Sequence, residues 1–381
     1  MDTTPPKAVH IGLDALAAGP MPVGVGRYLE CLLLGFAGLG LDRNLTLIQQ
    51  PGAATPAGRA RTVSPGGWAR SRPARLLWEQ VGLPRLARRL GLDLIHGAMH
   101  AVPLLGSIPS VVTIHDMSFD LYPELHQGFK VAYFRRMTVL SARRARRVIT
   151  VSEATKTDLV RLSGIDPARV TAVPNAVHPR FFAPLAPDAV THVLATERLE
   201  PPYILSVGVI EPRKNLPRLA AAFALLRARG FAGTWVIAGK RGWGGAELDE
   251  ALARDPATAS RTWRLAYVRD EHLPALIAGA TVLAYPSLYE GFGLPVAEAL
   301  AVGTPVVCAD TPALREVAGE AAVLVDPLST ADIALGLERV LGDGDLRRRL
   351  VASGRERAQL YTAERMARLT WAAYLVALGR L

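Results

Sequence analysis

The amino-acid sequence predicts an α/β protein built from two parallel sheets, each covered by helices on both faces. Its 381 residues exceed the usual size of a single hydrophobic core, so we expect two domains. Short β-branched apolar runs alternate with longer amphipathic stretches, which is typical of parallel sheets packed between helices. The alternation occurs twice, and a proline-rich stretch at residues 174–202 separates the two series.

The predicted elements follow this alternation. Strands of the first series are expected at residues 9–13, 45–49, 94–96, 111–114, 148–151 and 170–173. Strands of the second series are expected at residues 203–207, 234–238, 265–267, 282–285, 305–309 and 322–325. Residues 216–229 typify the helices between them, because their apolar positions recur at helical spacing and Gly230 supplies a C-terminal cap.

Domain boundaries follow from the prolines and from the order of the elements. We place the first domain at residues 1–180, a linker at residues 181–202 and the second domain at residues 203–363. A stretch rich in proline and glycine, residues 51–73, predicts a long surface loop in the first domain. The last predicted helix has no strand after it, so we expect residues 364–381 to pack back on the first domain.

The composition is that of an ordinary globular chain, with 50% hydrophobic and 20% charged residues. No apolar run approaches the roughly 20 residues of a membrane-spanning helix, and the N-terminus lacks the regions of a secretory signal. We therefore expect a cytoplasmic protein. Cys31 and Cys308 lie far apart in apolar runs, and we expect both to be reduced core residues.

Positive charge is concentrated in the first half of the chain. Residues 1–180 hold 22 Lys or Arg against 12 Asp or Glu, whereas the remaining residues hold 22 of each, so the net charge of +10 belongs to the first half. The arginines cluster at residues 59–89 and 135–147. Two interpretations stay open: attraction to an anionic membrane surface or phosphorylated acceptor, or a solvated face in a chain with only five lysines.

The strongest motif is YPSLYEGFGLPVAEALAVGTPVV, residues 285–307. A strand is followed by a glycine turn and by a helix that begins near Leu294. Backbone N–H groups at such a helix N-terminus bind phosphate or sugar oxygens, and the helix dipole favours anions there. Glu290 and Glu298 lie eight residues apart, and carboxylates accept hydrogen bonds from sugar and ribose hydroxyls.

With two glutamates at this spacing in an EGFG context, the sequence resembles the retaining family 4 glycosyltransferases. The resemblance implies the GT-B fold, in which two Rossmann-like domains face each other across a cleft and a C-terminal helix crosses back to the first domain. It implies that Glu290 contacts the transferred sugar and Glu298 the donor ribose. The further donor contacts that it implies here are Gly291, Phe292, Gly293 and Leu294. The alternative is a surface loop with two helix-capping carboxylates.

The second motif is SVGVIEPRKNL, residues 206–216, directly after the first strand of the second series. Fixed cations can neutralise a leaving diphosphate without a metal, and the resemblance assigns this catalytic task to Lys214, with Arg213 as its helper. Gly208 is assigned to donor binding. Many relatives carry an arginine directly after this glycine, whereas Val209 stands here, so one phosphate contact stays unassigned unless Arg213 supplies it. The alternative, two exposed cations opening a helix, is opposed by the helix dipole.

The third motif is VVTIHDMSFDLYPELH, residues 111–126, in which a buried strand ends at His115. Ligands bind beyond the carboxyl ends of strands in open α/β sheets. The resemblance implies that His115 is a catalytic-pocket residue that bonds a donor sugar hydroxyl, and it makes Asp116 a candidate for acceptor or cleft contact. A lone histidine after a strand is otherwise commonly structural.

Glycines follow the first predicted strand in VGVGRY, residues 23–28. Gly24 and Gly26 match the first two glycines of a dinucleotide fingerprint, but Leu29 occupies the third position, which argues against NAD. The resemblance implies that both glycines bind the donor and that Arg27 contacts the diphosphate or acceptor. The remaining candidates are Asn175 for the acceptor side, and Gly239 and Lys240 for the nucleotide.

No metal or other cofactor is expected. The single Asp-x-Asp triplet, residues 343–345, lies in a glycine turn away from the other motifs. His96 and His100 lack the further cysteine or histidine that a zinc site needs.

The resemblance is strongest over residues 203–327, where the motif wording is similar to bacterial mannosyltransferases of surface polysaccharide biosynthesis. It implies transfer of a hexose, with mannose from GDP-mannose favoured, to a glycan or lipid-linked acceptor. We expect Lys214 and Glu290 to converge on one interdomain crevice. Peripheral contact with an anionic membrane is a further expectation, and nucleic acid is not an expected partner. The alternatives are a UDP-sugar-dependent glucosyl or N-acetylglucosaminyl transferase, a sugar-nucleotide epimerase, and a non-enzymatic nucleotide-sugar-binding regulatory subunit.

Overall fold

The chain folds into two α/β units, each built on one parallel sheet. The computed structural model describes residues 9–16, 24–50, 58–65, 72–126 and 128–381. The first unit comprises Met1–Ala176 with Thr362–Leu381, and the second unit comprises Val177–Tyr361. The predicted α/β class with two parallel sheets is confirmed.

In its described residues, the first unit contains seven strands and five helices before the chain enters the second unit. The strands are β1 (Ile11–Asp14), β2 (Leu45–Ile48), β3 (Arg61–Val63), β4 (Leu94–Gly97), β5 (Ser110–Ile114), β6 (Arg147–Thr150) and β7 (Val170–Ala172). The helices are α1 (Val25–Gly38), α2 (Arg72–Leu90), α3 (Ser118–Leu121), α4 (Gly128–Arg144) and α5 (Glu153–Ser163). The sheet order is β3-β2-β1-β4-β5-β6-β7, and all neighbouring strands are parallel.

The second unit repeats this plan. Its strands are β8 (Tyr203–Val207), β9 (Thr234–Ala238), β10 (Thr262–Leu265), β11 (Val282–Tyr285), β12 (Val306–Ala309) and β13 (Val323–Val325). Its helices are α6 (Pro187–Thr196), α7 (Leu216–Ala228), α8 (Gly245–Ala253), α9 (Pro256–Ala259), α10 (Leu273–Gly279), α11 (Leu294–Val302), α12 (Pro312–Ala318), α13 (Thr330–Gly342) and α14 (Gly344–Ala358). The parallel sheet has the order β10-β9-β8-β11-β12-β13. The chain ends with α15 (Ala363–Ala377), which belongs to the first unit.

The strand order reverses direction once in each sheet. In the first sheet this point lies between β1 and β4, and in the second sheet between β8 and β11. Open α/β sheets bind ligands beyond the carboxyl ends of the strands at this point. The central strands are buried on both faces, as their continuous apolar runs predict.

Two strands differ from the prediction. β3 lies within residues 51–73, which the sequence predicts to be a loop, and β10 begins three residues before the predicted strand 265–267. Both are edge strands with mostly exposed side chains. They therefore lack the continuous apolar run by which a buried parallel strand is recognised.

The predicted linker, residues 181–202, is wrong for most of its length. It contains α6, and the second unit already begins at Val177. Pro187 lies in the first turn of α6, where its missing N–H costs no helical hydrogen bond, so a proline that predicted a linker instead opens a helix. Val193 and Leu194 are buried, which fixes the helix to its unit.

The C-terminal helix α15 packs against α1 in the first unit. A Cβ atom added at Gly35 would lie 2.0 Å from the Ala363 carbonyl oxygen, so glycine allows the two helices to approach closely. Tyr374 is fully buried, and its hydroxyl lies 2.6 Å from Nδ1 of His96, whose Nε2 lies 2.8 Å from the Thr113 hydroxyl. The interaction ties the end of the chain to β4 and β5.

Part of the arginine cluster has a structural task. Within the described residues, six of its members donate hydrogen bonds to backbone carbonyl groups: Arg75, Arg85, Arg143, Arg144, Arg146 and Arg147. Arg85, Arg88 and Arg89 of α2 are exposed, and the hydrogen bond of Arg85 stays within its own helix, to the Val81 carbonyl. In the part of the chain that the structure describes, no helix is long and apolar enough to cross a bilayer. Cys31 and Cys308 are buried, and neither forms a disulfide bond.

Candidate active site

An ion cluster centred on Glu290 lies at the carboxyl edge of the second sheet, beyond β8 and β11. Nζ of Lys214 lies 2.6 Å from Oε1 of Glu290, and the Arg213 guanidinium contacts the other carboxylate oxygen. Arg213 also pairs with Glu211 through contacting Nε and Oε1 atoms. The Tyr285 hydroxyl donates to Glu290 at 3.0 Å and accepts from Lys214. The two strongest motifs of the sequence therefore meet in one site.

Hydrogen bonds fix these two motifs to each other. Asn215 adopts a left-handed conformation (φ 59°), and its Nδ2 donates to the carbonyls of Pro286 at 3.0 Å and Pro327 at 2.7 Å. The Leu288 amide donates to the Arg213 carbonyl at 2.8 Å. The backbone thus positions Arg213, and with it Lys214, against the segment that carries Glu290.

Burial and paired charge set the protonation of the cluster. Burial alone would raise the pKa of Glu290, but Arg213 and Lys214 outweigh it and lower the pKa to about 2. Burial, together with the charge of Arg213, lowers the pKa of Lys214. Burial, followed by the Glu290 charge, raises the pKa of Tyr285 well above its ordinary value. At neutral pH Glu290 is consequently an anion and Tyr285 is a neutral donor.

A glycine turn leads from Glu290 into α11. Gly293 has φ 103° and forms the N-cap of α11 without a side-chain hydrogen bond. A Cβ atom there would lie 2.4 Å from Leu314, so a close approach and a left-handed backbone both require glycine. Phe292 is buried against Tyr361 at a ring distance of 5.3 Å, and Glu298 is buried within α11.

The other predicted donor-binding residues of the second unit lie near the ends of β8 and β9. Gly208 has φ 134°, and a Cβ atom at Gly239 would lie 1.8 Å from the Gly208 carbonyl oxygen, so the two glycines let their backbones touch. Lys240 lies 5.7 Å from the ring centre of Tyr267. Val209, which stands where many relatives carry an arginine, is partly exposed. Arg213, the candidate to supply the phosphate contact of that arginine, forms ion pairs with Glu211 and Glu290.

Ser287 is a polar residue of this site that the sequence prediction missed. A cavity of about 10 Å³ beside Lys214 is lined by Gly208, Tyr285 and Ser287. The Ser287 residue is 1% exposed, and within the described residues its hydroxyl has no hydrogen-bond partner. A buried polar group without a partner is uncommon in proteins. The available signal was its position two residues after the end of a buried strand.

His115 occupies a half-buried position in the first unit, directly after β5. Its Nε2 donates to the Ala98 carbonyl at 2.7 Å, and burial lowers its pKa, so the neutral ring presents Nδ1 as an acceptor. Tyr28 packs edge-on against the ring at 4.8 Å. The Asp116 carboxylate accepts from the amide and hydroxyl of Ser118 at 3.0 and 2.7 Å, so it fixes the turn into α3.

The remaining first-unit candidates lie at the start of α1 and after β7. Gly24 is the N-cap of α1 with φ 53°, and Gly26 lies in the first helical turn. Arg27 pairs with Glu30 at 2.7 Å. Asn175 is buried, and its Oδ1 has no hydrogen-bond partner among the described residues. Those residues also contain no cluster of three or more His, Cys, Asp or Glu suited to a metal.

Comparison with known proteins connects this geometry to a family. The model described as Glycosyltransferase Family 4 matches residues 23–181, and the model described as Glycosyl transferases group 1 matches residues 195–357. O-antigen chain mannosyltransferase B of Escherichia coli is 33% identical over 270 residues, which cover 70% of each chain. The chain belongs to glycosyltransferase family 4. This family 4 member is therefore a glycosyltransferase enzyme, which sets aside the epimerase and regulatory-subunit alternatives.

Other relatives of this family 4 enzyme agree with the assignment. The MMP alpha-(1->4)-mannosyltransferase of Mycolicibacterium hassiacum is 32% identical over 251 residues, which cover 65% of this chain and 58% of the relative. Among solved structures, sucrose-phosphate synthase from Thermosynechococcus elongatus superposes with a TM-score of 0.79 at 22% identity, covering 98% of this chain and 100% of that chain. HepE of Anabaena in complex with UDP-glucose gives a TM-score of 0.77 at 17% identity, covering 95% and 98%. The predicted GT-B fold is confirmed.

Proposed function

We propose that this glycosyltransferase moves a hexose, with mannose from GDP-mannose favoured, to a hydroxyl of a glycan or lipid-linked acceptor and retains the configuration at the anomeric carbon. The contact of Lys214 and Arg213 with Glu290 carries the proposal. This contact places two cations and a carboxylate beyond β8 and β11, the two strands at which the order of the second sheet reverses. A sugar diphosphate needs cations for its phosphates and a carboxylate for its sugar hydroxyls.

The cluster supplies charge for the leaving group. Arg213 and Lys214 now bind the carboxylates of Glu211 and Glu290, and a donor diphosphate offers the same cations competing oxyanions. Exchange of a carboxylate for a phosphate keeps the cations neutralised and frees Glu290 to accept a hydrogen bond from a sugar hydroxyl. As the glycosidic bond breaks, the fixed cations stabilise the charge that develops on the phosphate.

The acceptor proton passes to the departing phosphate in this proposal, so no side-chain nucleophile is required. His115 is neutral, and its Nδ1 accepts a hydrogen bond from a donor hydroxyl. The Ser287 hydroxyl donates to a donor phosphate oxygen, because it is buried beside Lys214 and has no other partner within the described part of the chain. Because Arg213 and Lys214 supply positive charge at the phosphate, we propose that transfer needs no metal, and an assay in a chelator tests this directly.

Mannose is favoured because the E. coli and Mycolicibacterium relatives are named as mannosyltransferases. A UDP-sugar donor is the second candidate, since HepE of Anabaena, which shares this fold, is described in complex with UDP-glucose. A thermal-shift screen of GDP-, UDP- and ADP-sugars separates the two. A donor at 100 times its Kd stabilises the protein by about 2.7 kcal/mol.

Product analysis with the donor that the screen selects completes the test. We expect an acceptor-dependent glycoside with retained configuration. A melting temperature that no nucleotide sugar raises, or a selected donor that yields no glycoside with any hydroxyl acceptor, would contradict the proposed function. We place the reaction at the cytoplasmic face of a membrane, because the first half of the chain carries the whole net charge.

A further inference from the structure

A cavity of about 30 Å³ lies at the carboxyl edge of the first sheet. β1 ends at Asp14, which lines the cavity, and residues 98–101, which follow β4, line it as well. β1 and β4 are the two strands between which the order of this sheet reverses, and open α/β sheets bind ligands at that point. The position of the cavity therefore marks it as a ligand site.

Two carboxyl groups and one guanidinium line this cavity. Helix α2 supplies Arg75 and Glu79, one helical turn apart, with 3.5 Å between Nε and Oε1. Glu79 is only 9% exposed, and its carboxyl group accepts no hydrogen bond from the described residues. Asp14 accepts one, from the Leu16 amide at 3.0 Å. A buried carboxyl group with unused hydrogen-bonding capacity beside a cavity indicates a ligand that supplies the missing partner.

The two carboxyl groups hold one proton between them near neutral pH. Burial, reinforced by the Asp14 charge, raises the pKa of Glu79 to about 8, and burial raises the pKa of Asp14 to about 6. The pair can thus donate one hydrogen bond and accept several. Arg75 balances the remaining negative charge.

The other walls are neutral. Burial lowers the pKa of His100 to about 4, and its Nε2 accepts a hydrogen bond from the His115 amide at 3.4 Å. Tyr133, Phe134 and Met137 of α4 form an apolar side of the cavity. A neutral wall with two aromatic rings opposite a carboxyl pair suits a molecule with hydroxyl groups on one edge and an apolar face.

We propose that this cavity is the acceptor subsite and that it binds two adjacent hydroxyl groups on one edge of an uncharged sugar ring. The volume suits about two groups of the size of water. Each sugar hydroxyl both donates and accepts, which matches a cavity lined by two carboxyl groups and a guanidinium. A phosphate dianion would instead meet two acidic groups and a single guanidinium, so a phosphorylated acceptor group is disfavoured here. This inference rests on the proposed function, because it assigns the sugar to the acceptor.

Saturation-transfer NMR on the full chain tests the proposal with defined probes. The probes are methyl α-mannopyranoside, its glucose and galactose counterparts, the 2,3-O-isopropylidene derivative of the mannoside, and inorganic phosphate as competitor. We expect signal from at least one free methyl pyranoside, loss of signal when the adjacent hydroxyls are blocked, and no competition by phosphate. Glu79→Gln and Asp14→Asn should each reduce the signal at least fivefold.

The matched control is Glu338→Gln, which removes an exposed carboxylate paired with Arg229 at 2.6 Å. It should leave the signal unchanged. Equal signals from wild type and Glu79→Gln, or stronger binding of phosphate than of any neutral glycoside, would overturn the proposal. Melting curves with GDP-mannose and UDP-glucose distinguish failure of the acceptor-subsite proposal from failure of the proposed function. Donor binding without glycoside binding defeats the acceptor subsite alone, whereas absence of any donor shift defeats the proposed function and leaves the glycoside result to stand separately.

Discussion

At the scale of single residues, the site depends on balanced buried charge. Glu290 contacts both Arg213 and Lys214, and each cation would be costly to bury without its carboxylate partner. The same balance makes the cluster exchangeable, because an incoming diphosphate replaces one set of oxyanions with another. Stability and donor binding are therefore carried by the same three side chains.

We predict that Glu290→Gln lowers transfer by about 100-fold or more, in the range seen when one charge-stabilising group is removed. It should also destabilise the protein at neutral pH by about 3 kcal/mol, because the buried Lys214 loses its carboxylate partner and the half-buried Arg213 keeps only Glu211. Steady-state kinetics and urea unfolding measure the two effects. Unchanged transfer would exclude a catalytic role for Glu290.

The stability effect of Glu290→Gln should depend on pH. The pKa of Glu290 is lowered from 4.5 to about 2, so its ionised form stabilises the folded state above pH 4.5, and this contribution is lost as the pH falls towards 2. The stability advantage of wild type over the variant should shrink between pH 5 and pH 3 in urea unfolding. An advantage that is constant over this interval would contradict the assigned ion pairs.

Ser287→Ala gives a prediction with opposite signs for stability and binding. Removing a buried hydroxyl that has no partner among the described residues should leave the free energy of unfolding unchanged or slightly raised. Donor affinity should fall by about 10-fold, since a hydrogen bond to a charged group contributes roughly 1.5 kcal/mol or more. Ser110→Ala is the matched control, because that hydroxyl is also buried, has no partner in the part of the chain that the structure describes, and lies in the first unit. Equal donor Kd values for the two variants would remove Ser287 from the donor site.

At the scale of elements, close packing holds the helices α6 and α15 in place. α6 begins at a proline within a predicted linker, and α15 is held against α1 by small residues and by the Tyr374 hydroxyl. The local sequence predicts that α15 is a helix, but it does not show which helix α15 packs against. That partner is α1, where Gly35 lacks the side chain that would prevent the close approach. The contact between the chain end and α1 is thus a property of the pair of helices.

We predict that Gly35→Ala destabilises the first unit, although alanine favours helix by about 1 kcal/mol over glycine. The new Cβ atom would lie 2.0 Å from a backbone oxygen of Ala363, and relieving the clash must move α15. Overpacking of this kind costs about 1–3 kcal/mol. Gly38→Ala, on the same helix, places its Cβ atom 3.4 Å from a flexible Glu364 side chain and should be neutral or stabilising. Melting temperatures of the two variants check this, and a neutral Gly35→Ala would refute the tight α1–α15 contact.

At the scale of the whole molecule, the two halves of the chain share an architecture but differ in net charge. The two units share one architecture, yet all of the +10 net charge lies in residues 1–180. Arg144 and Arg147 are partly buried and bind carbonyl groups of other segments, whereas Arg85, Arg88 and Arg89 are exposed on α2, the helix that also exposes Leu77 and Val81. The structural and membrane interpretations of the cluster thus apply to different arginines.

We predict that the protein binds vesicles containing anionic lipid and that binding falls as salt rises, because screening shortens the range of the attraction. Replacing Arg85, Arg88 and Arg89 by glutamine should weaken flotation with the vesicles severalfold. The same replacement at Arg254, Arg348 and Arg349 of the second unit is the control. Equal loss in both variants, or binding to neutral vesicles at the same level, would contradict a membrane face on α2.

The sequence by itself determined the two parallel sheets, most of their strands and the segments that carry Lys214 and Glu290. Those features depend on local patterns: continuous apolar runs mark buried strands, and glycine turns mark helix starts. It could not determine the edge strands β3 and β10, because an exposed strand leaves no such run. It also placed a linker where α6 lies, since a proline signals a break and a first helical turn equally well.

Only the tertiary structure decided which side chains meet. Arg213 lies 77 residues from Glu290 along the chain, and Asp14 lies far from Glu79, so no local pattern reports that the first two meet or that the second two line one cavity. Ser287 and Glu79 became informative only through burial and the absence of hydrogen-bond partners among the described residues, which sequence does not encode locally. Periodicity specifies elements, whereas a site arises where the ends of distant strands converge, and that convergence is a property of the folded sheet.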